Sequence, residues 1–218
     1  MVLRVLLCNW LIAATALSAA AASPRPTRIV VLGDSLVAGF QLKSADAFPA
    51  QLERALKARG HDVEIINAGV SGDTTAGGLE RLKWAIAPET DAVILELGGN
   101  DALRGLAPAQ AKSNLDKIIV ELKATGAEVL LAGMLAPRNL GADYSAAFDA
   151  IYPELANKHG LILYPFFLDG IAMKAQFNLA DGIHPNSSGV AEIARRILPA
   201  VEQLIERVRR KQAAAPRG

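Results

Sequence analysis

A serine hydroxyl attacks a carbonyl carbon only when a base takes its proton and a carboxylate holds that base in the right tautomer. The chain contains three histidines to choose from. His61 stands in Arg59-Gly60-His61-Asp62, an exposed turn between a helix and a strand. His159 ends a helix in Lys158-His159-Gly160, where the helix terminus itself favours an imidazole. His184 stands apart in Asp181-Gly182-Ile183-His184-Pro185: Asp181 is near enough along the chain to take the Nδ1–H within one turn, Gly182 eases that turn and Pro185 restricts the backbone before it. Asp-x-x-His alone is a short pattern that any loop can carry for local hydrogen bonds. Gly33-Asp34-Ser35-Leu36 changes its meaning, because Ser35 is then a candidate nucleophile. The tetrahedral intermediate also needs donors at its oxyanion. Ser35 N–H and Gly72 N–H fit, and Asn100 adds a neutral side-chain amide. Taken singly, Gly72 is plain turn geometry and Asn100 a helix cap.

These residues need elements that bring them together. Short runs rich in Val, Ile and Leu occur at 28–32, 63–66, 92–97, 128–132 and 161–165, with the weak alternation expected of strands buried on both faces. Helical patterns fill the intervals at 48–59, 74–86, 108–125 and 144–158, three of them closed by Gly60, Gly126 and Gly160. A last helix spans about 187–210, with Pro199 expected to bend or interrupt it. Repeated β-α units predict an α/β fold with a parallel sheet of about five strands and helices on both faces. In such a sheet, ligands bind beyond the carboxyl ends of the strands. Gly33-Asp34-Ser35, Ser71-Gly72-Asp73 and Gly99-Asn100-Asp101 follow the first three strands, so the three turns open onto one edge.

The remaining sequence bounds the function. Residues 1–22 read as a signal peptide: Met1 to Arg4 is a short positive segment, Val5 to Leu17 is almost wholly apolar, and Ala20-Ala21-Ala22 suits a signal peptidase. Cleavage near Ala22 leaves 218 − 22 = 196 residues, enough for one domain over 23–218, with a core at about 27–205 and a frayed basic tail at 207–218. The apolar run is shorter than the ~20 residues that span a bilayer, so no stable membrane anchor is expected and the product is expected in the periplasm or outside the cell. Cys8, the sole cysteine, lies in that leader, so the mature domain has no disulfide, thiol nucleophile or cysteine metal site. A net charge of +1 gives no field for nucleic acid.

In their order along the chain, Gly33-Asp34-Ser35-Leu36, Gly72, Gly99-Asn100-Asp101 and Asp181-x-x-His184 resemble the four blocks of the SGNH (GDSL) hydrolase superfamily. The likeness extends from Thr27 to about Leu204. Residues 67–75, 96–101, 148–155 and 181–186 are similar to the bacterial thioesterase I, lysophospholipase L1 and arylesterase group. The resemblance implies a flavodoxin-like three-layer α/β/α fold, no cofactor or metal, and hydrolysis of acyl esters or thioesters. It carries the nucleophile to Ser35, the base to His184, the orienting acid to Asp181 and the oxyanion donors to Ser35, Gly72 and Asn100. Asp34 and Asp101 accompany the motifs as structural residues that order turns and helix starts.

An acyl group needs an apolar groove near Ser35. Leu103, Leu106, Met134, Leu135 and Leu140, on the turns after the third and fourth strands, and Ile183 beside the base are the candidates; some of them will be plain core. Export points to lysophospholipids, monoacylglycerols or aryl and alkyl esters rather than cytosolic acyl-CoA, handled by a monomer acting on a small-molecule ester or lipid. Two other readings compete: a sugar or cell-wall O-deacetylase on the same fold, and a non-catalytic lipid- or glycan-binding domain.

Overall fold

Five strands form, at Thr27–Gly33 (β1), Val63–Gly69 (β2), Ala92–Glu96 (β3), Glu128–Ala132 (β4) and Ile162–Tyr164 (β5). The computed structural model describes residues 25–214; the expected leader with Cys8, the expected cleavage position near Ala22 and residues 215–218 lie outside the described residues. Every strand pairing is parallel and the order is β2-β1-β3-β4-β5. All five residues of β3, at the centre, are buried, and burial of each of its aliphatic side chains contributes roughly 1.5–3 kcal/mol. β2 is an edge strand and departs from the expected two-sided burial: Glu64 and Asn67 are exposed.

The helices are Ser35–Ala38 (α1), Phe48–Ala58 (α2), Thr75–Glu80 (α3), Leu82–Ala85 (α4), Gly99–Leu103 (α5), Pro108–Ala124 (α6), Ala142–Asp149 (α7), Ile151–His159 (α8) and Ser187–Ala214 (α9). One layer is α2 packed on α9, and the other is α6 packed on α3, α7 and α8, which gives the three-layer α/β/α sandwich. Two expected helices are split. The 74–86 segment breaks at Arg81, after the poor helix formers Gly77 and Gly78. The 144–158 segment breaks at Ala150, because Pro153 has no N–H for the carbonyl of Asp149 and its ring crowds that carbonyl.

The C-terminus corrects a further expectation. Residues 207–214 do not fray; α9 continues through Pro199 without interruption to Ala214. Leu204, Ile205 and Val208 extend its buried stripe, while Arg207 donates to Gly160 O and Lys211 to Gly126 O, carbonyls left over at the ends of α8 and α6. Among the described residues, no helix is long and apolar enough to cross a membrane.

The order of connections reverses at β1, whose two neighbours are β2 and β3. A crevice opens at such a point beyond the strands' carboxyl ends, and the turns carrying Ser35 and Asn100 leave from those two strands, β1 and β3.

Candidate active site

β1 passes into α1 with no intervening loop. Asp34 caps the helix, its Oδ1 accepting from Leu36 N–H at 2.9 Å. Gly33 is required by close approach, since a Cβ there would stand 2.3 Å from Val37 Cγ2. Ser35 is therefore held at a helix start, 8% exposed, with its hydroxyl turned toward His184.

The loop before α9 is stitched by two asparagines. Asn178 donates to Ile171 O and Lys174 O, and Asn186 to Gln176 O while its Oδ1 caps α9 through Gly189 N–H. Within the loop, Asp181 Oδ1 accepts from the N–H groups of Ile183 (2.9 Å) and His184 (3.0 Å). Its Oδ2 lies 2.7 Å from His184 Nδ1, and His184 Nε2 lies 2.9 Å from Ser35 Oγ. A carboxylate only accepts, so Nδ1 carries the hydrogen and the neutral ring offers Nε2 to the hydroxyl. The backbone donors of His184 and Ile183, then the ring itself, pull the Asp181 pKa down to about 2. Phe40 lies against the imidazole, ring centroids 4.3 Å apart. The other two histidines serve the surface: His159 faces Asp116 at 2.6 Å and His61 faces Glu202 at 3.3 Å.

On the opposite side of Ser35, Asn100 Nδ2 donates to Asp34 Oδ2 (3.0 Å) and to Asp73 O (2.9 Å). Both amide hydrogens are thus engaged, and use of Asn100 at an oxyanion requires one to turn away from its present acceptor. The N–H groups of Ser35 and Gly72 have no acceptor among the described residues. Gly72 holds a left-handed φ of +84°, a conformation that favours glycine there. Asp101 is structural as expected: its carboxylate takes Thr75 N–H (2.8 Å) and Oγ1–H (2.6 Å). Asp34 orders its turn and, through Oδ2, also holds the Asn100 amide. Burial is the main cause that raises its pKa to about 6. Under it lies Glu96, wholly buried at the end of β3, whose Oε2 accepts from Asp34 N–H at 3.3 Å. Burial pushes the Glu96 carboxyl well above the usual range, followed by the neighbouring Asp34 charge.

Arg81 joins two of the turns. Its Nε donates to Asp73 Oδ2 at 2.5 Å and its Nη2 to Gly33 O at 2.9 Å. The break between α3 and α4 places this fork between the Ser35 turn and the Gly72 turn. Arg81→Ala is expected to lower kcat roughly 10- to 100-fold with little change in KM, the effect of misplacing a donor by a fraction of a bond length or more. Arg81→Lys is expected to restore only part of the loss, since one ammonium does not reproduce a planar two-way fork. Steady-state kinetics on a soluble ester checks this; equal loss in kcat and gain in KM would contradict it.

Beside Ser35 and His184 lies a cavity of about 430 Å³, of a size that suits small-molecule ligands. Leu103, Met134, Leu135 and Ile183 line it as expected. Leu106 and Leu140 do not. Leu106 sits in the turn after α5, where its carbonyl accepts from Tyr144 O–H at 2.8 Å, and Leu140 lies in a short 3-10 turn at Arg138–Leu140. The sequence reading missed Phe166, Leu168, Ala172 and Met173, which supply the far wall from the segment after β5. The apolar run Phe166-Phe167-Leu168 was a signal for them: the carboxyl-end rule applies to the fifth strand as to the third.

A family model for GDSL-like lipase/acylhydrolase proteins matches residues 31–192. The chain belongs to this family. It is a carboxylic ester hydrolase of the serine type. An arylesterase of Vibrio mimicus is 42% identical over 175 residues, 80% of this chain and 88% of that protein. A protein of Escherichia coli K12 named thioesterase 1/protease 1/lysophospholipase L1 is 38% identical over 178 residues, 81% of this chain and 84% of its own. A crystal structure of TesA superposes with a TM-score of 0.77 at 39% identity, covering 81% of this chain and 99% of that one.

Proposed function

We propose that this family member hydrolyses aryl and alkyl esters, lysophospholipids and acyl thioesters through an acyl-enzyme on Ser35. The observation that carries the assignment is the unbroken line Asp181–His184–Ser35, with contacts of 2.7 and 2.9 Å, beside an apolar cavity. Ser35 Oγ attacks the carbonyl carbon as its proton passes to His184 Nε2. Asp181 stabilises the imidazolium that forms. The oxyanion faces the N–H groups of Ser35 and Gly72, joined by Asn100 when its amide swings from Asp34 or Asp73. His184 then protonates the departing alcohol or thiol, and the same ring activates a water that releases the acid. No step needs a second chain, since all three triad residues come from one, and we read the enzyme as a monomer. The apolar wall of Leu103, Leu135, Phe166, Leu168 and Met173 favours acyl chains longer than acetyl over the deacetylase reading. The composition of residues 1–22 supports export to the periplasm or beyond.

Hydrolysis of p-nitrophenyl esters from acetyl to palmitoyl tests this. Turnover is expected to be greatest with medium or long chains. Turnover confined to acetyl would replace it with the deacetylase, and absence of turnover with any chain would leave a binding domain.

A further inference from the structure

Exposed apolar side chains are not spread evenly over this molecule. Val70, Leu103, Leu106, Leu135, Met173 and Ile183 all stand on the segments at the carboxyl end of the sheet, the end that carries Ser35. Among the described residues, the other large exposed hydrophobics are Trp84 and Val120, on α4 and α6. Leu103, Leu135, Met173 and Ile183 reach from the cavity wall into solvent. Apolar exposure rimming a pocket is unusual for a surface that faces only water.

Met173 is the sharpest case. It is 93% exposed and adopts a left-handed φ of +61° without being glycine. That conformation is unfavourable for an L-residue, and the folded chain gives the side chain almost no packing in return. Cations accompany the rim: Arg104 follows Leu103, Arg138 lies three residues beyond Leu135, and Lys174 follows Met173. Arg104 donates to Gly72 O and Lys174 to Gly170 O, both neutral acceptors, so their charges stay uncompensated there. Arg138 is paired with Asp149. Asp181, on the loop that carries Ile183, accepts from the N–H groups of Ile183 and His184 and from the neutral ring, and so keeps one negative charge there. Of these charges, among the described residues, the two unpaired cations Arg104 and Lys174 stand against the one carboxylate of Asp181, so the rim is apolar at its centre and net cationic at its margin.

We propose that this rim docks on an anionic phospholipid surface, so that an acyl chain passes from the lipid phase into the cavity without crossing water. The inference rests on the lipid-ester reading above and adds the physical state of the substrate. Its energetics are those of shallow interfacial binding: a few apolar side chains leave water while nearby cations meet anionic head groups.

The test is co-sedimentation of the full chain, inactivated as Ser35→Ala, with phosphatidylcholine vesicles with and without phosphatidylglycerol. Residues 1–24 are present in every variant compared, so the rim is read only from differences between variants. The parent is expected to partition onto the phosphatidylglycerol vesicles and to be released by salt. Met173→Asn combined with Leu103→Gln is expected to lower the partition coefficient about tenfold or more. Asparagine tolerates the left-handed backbone and glutamine the helix, so both changes keep the fold, which a thermal melt checks. Trp84→Ser with Val120→Ser is expected to bind as the parent does. The proposal is overturned if the parent binds neither vesicle, if the rim pair binds unchanged, or if the control pair loses binding equally. Lipid-independent dimerisation abolished by the rim pair would also overturn it, assigning the face to a second copy. Hydrolysis of p-nitrophenyl butyrate by the Ser35 protein separates the two readings: turnover without vesicle binding removes the docking surface alone, and no turnover removes the catalytic reading.

Discussion

Ser35→Ala is expected to lower kcat on a soluble ester by about 10⁴- to 10⁶-fold while the protein stays folded. The hydroxyl has one side-chain partner, His184 Nε2 at 2.9 Å, and alanine removes the attacking atom without opening a core cavity. The thermal midpoint is accordingly expected to move by no more than about 2 °C, the shift of a change of about 0.5 kcal/mol in a domain of this size. His184→Ala is expected to match that loss, because Ser35 without its base is an ordinary alcohol. The decisive measurement is the double variant. Groups that act as one unit lose their contribution once, so Ser35→Ala with His184→Ala should be no slower than either single change. Losses that multiplied in the double variant would mean that the two side chains act independently, and the hydrogen-bonded line would then not be the catalytic device.

Much of this arrangement is legible in the chain, for identifiable reasons. The strands of an α/β sheet carry strong apolar runs, and three of them are followed within a few residues by Gly-Asp-Ser, Gly-Asp or Gly-Asn-Asp turns that a parallel sheet must align on one edge. Asp181 and His184 are three residues apart, so their contact is local. What the sequence conceals is set by tertiary packing. Glu96 resembles the last polar residue of a strand; nothing short of the fold places it under Asp34, wholly buried, with its N–H contact across 62 residues. Arg81 reads as a residue in the middle of a helix until Gly77, Gly78 and the turns around it break that helix. The basic run at 207–211 has the composition of a solvated tail, and only the leftover carbonyls of Gly126 and Gly160 reveal why it is ordered. The cavity wall divides along the same line: Ile183 is local to the base and was found, whereas Phe166, Leu168 and Met173 arrive from a loop whose course depends on Asn178.

Asp181→Asn offers a sharper view of the acid than its removal. In the parent, one oxygen of Asp181 serves the backbone of Ile183 and His184 and the other serves the ring. An asparagine keeps its carbonyl oxygen on the backbone N–H groups and so turns its amide nitrogen toward Nδ1. That nitrogen donates, so Nδ1 must accept and the ring proton moves to Nε2, where it can no longer receive the Ser35 proton. A fall of about 10⁴ in kcat is expected, as for an imidazole locked in the wrong tautomer. Asp181→Ala is expected to lose less, because its ring is merely unguided. This ranking, the isosteric change worse than the truncation, separates an orienting acid from a loop-shaping one: a residue needed only for the turn would rank the other way. The acid limb of stability gives an independent check. Asp181 titrates at about 2 in the folded chain against an ordinary 3.8. A depressed carboxyl contributes stability above the unfolded value and loses it as pH falls through the folded one. The parent is therefore expected to lose stability between about pH 4 and pH 2 more steeply than either variant, which urea melts across that range would register; parallel curves would mean that the carboxylate is not held by the backbone and ring donors around it.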